Sequence, residues 1–269
     1  MSRLVNNIAI VTGSSSGIRR AIALKFSREG AVVVCADIRE IARTEILTET
    51  EIATHDLITQ NGGTAVFLRV DVSKAEDVER LICTMINNAG VSAEADNPRP
   101  IWDFSQEIWD KDIALNSTGV FLGCKYASAQ MIQQDHVPCG DRDWIVNIIS
   151  VFGLTGAASI AGYVASKHAT MGVTKVAAWD CAPHRIHVNA ICPGYKVLLL
   201  VHIITLLDTD TAFISGISGE VRGFVQQLHP FRGLGKPEDV ANAAIFLASE
   251  ENTWVTGIGL PVKGGYTSL

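Results

Sequence analysis

The chain has 269 residues, 48% of them apolar, and a formal net charge of −6. That is enough for a sizeable core and near the upper end for one domain. An acidic chain without a basic run excludes an electrostatic footprint for nucleic acid, and six scattered cysteines without a CxxC pair read as buried thiols of a reducing compartment rather than disulfides or zinc ligands.

Short β-branched runs alternate with helical patterns along the whole chain. "IAIVTG" (8–13), "AVVVCAD" (31–37), "TAVFLRVDV" (64–72), "MINNAG" (85–90), "WIVNIIS" (144–150), "IHVNAICPG" (186–194) and "IGLPVKGG" (258–265) read as strands. They are mostly continuous apolar runs, the pattern of a parallel sheet covered on both faces. Ile18, Ala21, Ile22 and Phe26 recur at helical spacing, and Gly30 supplies the stop. "PEDVANAAIFLAS" (237–249) has a proline and two acids in its first turn, a clear helix start. The expectation is one doubly wound α/β domain over 1–269, a three-layer α/β/α Rossmann-type fold with about seven parallel strands.

One connection is short. Val72 to Thr84 leaves thirteen residues for the crossover into "MINNAG", where about 10–12 are the minimum including the helix. Either the helical layer is thin there or the strand assignment slips.

"TGSSSGIRR" (12–20) follows the first strand and opens the first helix, where a phosphate-binding turn belongs. Gly13 and Gly17 allow a tight turn and close backbone approach to a pyrophosphate. Asp37, twenty residues after Gly17, ends the next strand. A carboxylate there accepts hydrogen bonds from an adenosine ribose and repels a 2′-phosphate, which favours NAD over NADP.

"YVASK" sets Tyr163 and Lys167 one helical turn apart on the same face. An unperturbed phenol titrates near about 10 and is a poor base at neutral pH. An ammonium one turn away stabilises the phenolate. Ser150, ending the strand "WIVNIIS", is placed to hydrogen-bond a substrate hydroxyl or carbonyl beside that phenol.

The ordered set "TGSSSGI", Asp37, "DV" (71–72), "NNAG" (87–90), "NSTGVF" (116–121), Ser150, "YVASK", "PG" (193–194) and "GG" (264–265) resembles the short-chain dehydrogenase/reductase family from about residue 5 to 267. The resemblance implies an NAD(P)-dependent oxidoreductase, NAD favoured, that moves a hydride between the nicotinamide and a secondary alcohol or ketone. It implies Tyr163 as acid/base, Lys167 as the group that lowers its pKa and holds the nicotinamide ribose, and Ser150 as the group that polarises the reacting oxygen. Asn116 would bend its helix and anchor a water in a proton relay to Lys167. The loop residues Gly13, Ser15, Ser16, Gly17 and Ile18, with Asp37, Asp71, Val72, Asn88, Ala89, Gly90, Pro193 and Gly194, would line the cofactor. The family also implies a homo-oligomer, a tetramer or dimer, whose main interface is made by the helices carrying Asn116 and Tyr163.

Three features depart from that pattern. Arg19 stands where the loop's third glycine belongs; it either pairs with a phosphate or crowds the pyrophosphate, and weakened cofactor binding is the expectation. Lys196 and Leu198 stand where an isoleucine and a threonine often hold the carboxamide, and Leu198 has no hydroxyl to do so. The short crossover is the third. A catalytically impaired chain, repurposed as a binding or scaffold protein, is the alternative they raise.

The remaining features carry less. His184 and His187 sit three apart with no further ligands nearby, so no metal site is expected. Trp102, Trp109 and Trp179 are expected to pack. The region of about 195–230 is where a substrate lid would sit, and its apolar start, "VLLLVHIITLL" (197–207), suggests a hydrophobic or ring-containing substrate. That stretch is about half a membrane span, and the polar Ser2–Asn7 precedes too short an apolar run for a secretory leader. No membrane partner and a cytoplasmic location are therefore expected.

Overall fold

A computed structural model describes residues 2–41, 51–81, 85–87, 93, 98–137, 139–194 and 229–268. All seven expected strands are present: β1 (Ile8–Thr12), β2 (Val32–Asp37), β3 (Ala65–Arg69), β4 (Met85–Asn87), β5 (Asp143–Ile148), β6 (Ile186–Pro193) and β7 (Gly259–Val262). They form one parallel sheet in the order β3-β2-β1-β4-β5-β6-β7. Strand order reverses between β1 and β4, so ligands belong in the crevice at the carboxyl ends of those strands.

The central strands explain the continuous apolar runs. Every residue of β5 and β6 is buried, as required when helices cover both faces. On one face α1 (Gly17–Arg28) packs through Ile22 and Phe26 against Val11, Val33 and the C-terminal helix that contributes Val240, Ala244 and Ile245. On the other face the cluster is Val120, Leu122, Met131, Ile145, Ala178 and Val188. Trp144 and Val146 join the first cluster while Ile145 joins the second, the alternation of a strand buried on both sides. β3, at the edge, is largely exposed.

α2 (Thr54–Gln60) precedes β3, and α3 (Ala75–Arg80) precedes β4. α3 has six residues and buries only Val78. The strand assignment does not slip: Ile10 pairs with Met85, Val11 with Ile86, and Ile86 with Val146. The short crossover therefore gives a thin helical layer over an intact strand.

α4 (Gln106–Asp112) continues through a π-helical stretch, Ile113–Thr118, into α5 (Gly119–Met131). α6 (Ala161–Cys181) packs against it, and α7 (Pro237–Leu247) closes the first face. The tryptophans depart from expectation. Trp102 and Trp179 are 86% and 83% exposed and do not pack in the core, and Trp109 is half-buried. Trp144 is the buried indole, stacked on His187 with ring centres 6.1 Å apart.

At the amino-terminal end of β5 and β6 a polar cluster closes the sheet. Asp141 accepts from Arg185 Nη2 at 2.7 Å and faces His187 Nε2 at 3.1 Å, while the other ring nitrogen of His187 lies 3.2 Å from the Val255 carbonyl. His187 is thus a structural group, and no cluster of three or more metal-ligating side chains occurs among the described residues. His168 is exposed on α6.

Candidate active site

β1 delivers the glycine loop to the crevice. Gly13 and Gly17 adopt φ of +69° and +61°, a region that glycine enters without steric cost. The Gly13 amide donates to Ala36 at 2.6 Å, and the Ser15 amide donates to the Asp37 carboxylate at 3.1 Å. Ser15 Oγ donates to the Arg39 carbonyl at 2.5 Å. The loop is thereby fastened to the end of β2, with Asp37 beside it. A second tie runs underneath: buried Arg20 donates to Thr54 Oγ1 at 3.0 Å, which donates to the Ser14 carbonyl at 2.8 Å. Ser16 begins α1 without a side-chain cap, and no acid follows in the first turn, so the partial positive charge of the helix N-terminus is not offset by a neighbouring acid of its own turn.

Arg19 does not swing out to solvent. Its side chain folds back over Gly13: a Cβ built on Gly13 would lie 2.5 Å from Arg19 Nη1 and 2.7 Å from its Cδ. The residue as a whole keeps part of its surface, but its guanidinium is set deep enough that burial lowers its pKa, against the opposing pull of Asp37 and Tyr163. The charge thus lies within electrostatic reach of both Asp37 and Tyr163.

α6 carries the pair expected to be catalytic. Tyr163 and Lys167 are both buried, with Lys167 Nζ 5.4 Å from the centre of the Tyr163 ring. Burial first, and the Arg19 charge second, push Lys167 down to about 7, while Asp112 and Cys192 pull upward. Close to neutral pH this lysine is therefore divided between its two protonation states, where the sequence alone suggested a constant ammonium. Burial also pushes the Cys192 thiol up to about 11, leaving it protonated.

Ser150 sits just past the end of β5, buried, and accepts from the Phe152 amide at 3.2 Å. Phe152 meets Tyr163 edge-on with centroids 6.4 Å apart, which places the serine's turn against the tyrosine. Gly153 allows this approach, since a Cβ there would lie 2.9 Å from the Lys167 carbonyl. Asn116 lies within the π-helical stretch, where the expected bend would fall. Its amide donates to Ser166 Oγ at 2.9 Å, and its carbonyl accepts from Thr170 at 3.0 Å. Both partners are on α6, so Asn116 is tied to the helix of the catalytic pair.

Two residues that the motifs did not single out belong here. Asp112, wholly buried on α4, accepts from the Ala93 amide at 2.9 Å and acts electrostatically on Lys167. Nothing in the residue pattern marks it, since α4 reads QEIWDKD and also carries Glu107 and Asp110. Ser166, inside "YVASK" itself, links Asn116 to the Tyr163 carbonyl, to which its hydroxyl donates at 2.8 Å.

The other expected cofactor residues are more dispersed. Asp71 accepts from Ser73 beyond β3, and Val72 packs against Gly119 at the start of α5. Pro193 and Gly194 end β6, with Gly194 packed closely on Lys263. Asn88, Ala89 and Gly90 lie outside the described residues, as do Lys196, Leu198 and the lid region through 228. Positive-φ glycines, an uncapped helix N-terminus, Asp37 and a cationic interior together fit an anionic dinucleotide.

A family model described as enoyl-(acyl carrier protein) reductase matches residues 13–267. Among curated relatives, 2,5-dichloro-2,5-cyclohexadiene-1,4-diol dehydrogenase LinX of Sphingobium indicum is 31% identical over 276 residues, covering 99% of this chain and 98% of its own. (+)-Borneol dehydrogenase 2 of Salvia officinalis is 35% identical over 281 residues, covering 99% and 91%. Of solved structures, a putative 2-deoxy-d-gluconate 3-dehydrogenase from Agrobacterium tumefaciens with bound NADP superposes with a TM-score of 0.80 at 27% identity, covering 99% of this chain and 98% of that one. A 7α-hydroxysteroid dehydrogenase complexed with NADH and 7-oxo glycochenodeoxycholic acid gives 0.78 at 29%, covering 98% and 95%. The chain belongs to the short-chain dehydrogenase/reductase family. It is a nicotinamide-dependent hydride-transfer oxidoreductase, and no comparison supports a repurposed, non-catalytic role.

Proposed function

We propose that the protein interconverts a secondary alcohol and its ketone with NAD(H) as the preferred cofactor. The carrying observation is the buried Tyr163–Lys167 pair on one face of α6, with Ser150 brought against it by Phe152 and Gly153. Tyr163 exchanges the proton at the substrate oxygen, Ser150 orients that oxygen, and Lys167 biases the phenol toward ionisation. Asn116 holds α6 in register through Ser166 and Thr170. The loop from Gly13 to Ile18, Asp37, Asp71, Val72, Asn88–Gly90, Pro193 and Gly194 would hold the nicotinamide cofactor, which supplies or accepts the hydride. Asp37 supports NAD over NADP, since its carboxylate already faces the loop through Ser15 and would repel a 2′-phosphate.

An apolar, ring-bearing alcohol is the favoured substrate class. The apolar run at 197–207 supports it, as do relatives named for a cyclohexadiene diol and for borneol. One dinucleotide-binding domain in a homo-oligomer, acting in the cytoplasm, completes the reading. Exposed Phe121 on α5 and exposed Val176 and Trp179 on α6 support association through those helices. Buried free thiols at Cys35, Cys124, Cys181 and Cys192 support a reducing compartment. No described helix is long and apolar enough to cross a membrane.

The test is a titration with NADH and NADPH followed by a screen of cyclic and aliphatic secondary alcohols for NADH production. Tighter NADH binding and turnover of a cyclic alcohol are expected. Failure to bind either nucleotide at millimolar concentration sinks the reading.

A further inference from the structure

The residue that breaks the glycine pattern is also one whose charge acts on Asp37, Tyr163 and Lys167. Arg19 enters the crevice from the first turn of α1 and lies on the face of Gly13, where any other residue at position 13 would collide with it. Its guanidinium interacts electrostatically with Asp37 and Tyr163, and its charge reaches Lys167. The crevice thus gathers three positive sources: the start of α1, the guanidinium of half-buried Arg19 and the buried amine of Lys167. Asp37, Asp112 and the protonated thiol of Cys192 are the other ionisable groups facing them.

Two cationic groups buried within reach of each other oppose one another's charge, and desolvation adds to the cost. A dianion between them offsets both effects. A guanidinium also offers a planar fork of donors that matches two phosphate oxygens. A glycine at position 19 offers neither. The far end of the arginine side chain is the flexible part, so it can slide off Gly13 onto a ligand without moving the backbone.

We propose that Arg19 is a diphosphate ligand: its guanidinium, folded over Gly13 in the glycine loop, receives the phosphates of the dinucleotide. This rests on the proposed function and adds to it a cofactor contact that the glycine pattern lacks. It also reverses the expectation that the arginine obstructs the site. A consequence follows for Lys167, because a bound diphosphate neutralises the nearest opposing cation and returns the lysine toward its charged form. Cofactor binding and the protonation of Lys167 are then linked through one side chain.

Calorimetric titration of the full chain with adenosine, ADP and NADH tests this, with Arg19→Met, Arg19→Lys and Arg19→Gly beside the wild type and circular dichroism to verify folding. Wild type is expected to prefer ADP to adenosine. Arg19→Met should lose about tenfold in affinity for ADP and NADH while binding adenosine unchanged, and Arg19→Lys should recover part of the loss. A merely structural role would shift all three ligands together and would overturn the proposal. So would ADP and NADH binding as well or better to Arg19→Gly, which keeps the proposed function and removes only the arginine's part in it. If wild type binds none of the three at millimolar concentration, both fall. Should Arg19→Met fail to fold, Arg19→Gly, which carries the family's own residue, decides the matter.

Discussion

The two ends of β5 and β6 handle charge in opposite ways. At the amino-terminal end Asp141 is satisfied by Arg185 and His187, the imidazole is held by Val255, and Trp144 covers it. Opposite charges meet, and both oxygens of the carboxylate have partners. At the carboxyl end Lys167, Arg19 and Asp112 gather around Tyr163, and the lysine is pushed far from its ordinary range. The same pair of strands thus carries a stabilising cluster at one end and an electrostatically uncomfortable one at the other. The lesson is that discomfort marks function: charge crowding persists where a reaction or a ligand makes use of it.

Four substitutions or probes would sharpen that contrast or break it. Tyr163→Phe should lower turnover by about a thousandfold, read from NADH absorbance with any alcohol the screen finds. Its melting temperature should stay near wild type, because the ring against Phe152 remains. Lys167→Met should stabilise the cofactor-free protein at about pH 7 and below, by about 4–5 kcal/mol in urea melts. The sign follows from linkage. The folded chain holds this lysine at about 7 against an ordinary 10.5, so the unfolded chain binds more protons between those values. Stability of the wild type therefore climbs with pH across that window, and the advantage of the methionine shrinks to nothing above it. A flat difference between the two proteins would break the comparison.

Asp141→Ala should do the reverse of Tyr163→Phe, costing about 2 kcal/mol of stability without changing NADH affinity. An altered affinity would mean that the two ends are coupled. The smallest effect concerns thiols. Among the described cysteines Cys139 is exposed while Cys35, Cys124, Cys181 and Cys192 are buried, and burial pushes Cys35 and Cys192 up to about 11. A maleimide should label Cys139 first and leave activity nearly intact.

Much of this architecture is legible in the residues. The seven strands follow from apolar run length, and the Tyr163–Lys167 pair from helical spacing. Asp37 and Ser150 follow from their place at strand ends. Residue types alone hide what depends on approach between distant elements. Gly153 looks like an ordinary loop glycine until the Lys167 carbonyl is found behind it. Asp112 looks like one more helix acid, but it is buried beneath α6. The tryptophans fail for the opposite reason: size and hydrophobicity predict packing, yet Trp102 and Trp179 face outward. The direction of the Arg19 side chain was undetermined in sequence because it depends on the free space above Gly13.

The π-helical stretch at Ile113–Thr118 bears on how this region tolerates insertions and deletions. A π turn holds one residue more than the α turn it replaces. Removing a single residue there would let the segment relax to an unbroken α-helix, and because six residues at the π pitch turn about as far as five at the α pitch, α4 and α5 would keep their phase. What would be lost is the placement of Asn116 inside the wider turn, from which its side chain reaches Ser166. The extra residue thus re-aims one side chain toward α6 while leaving the flanking helices where they were.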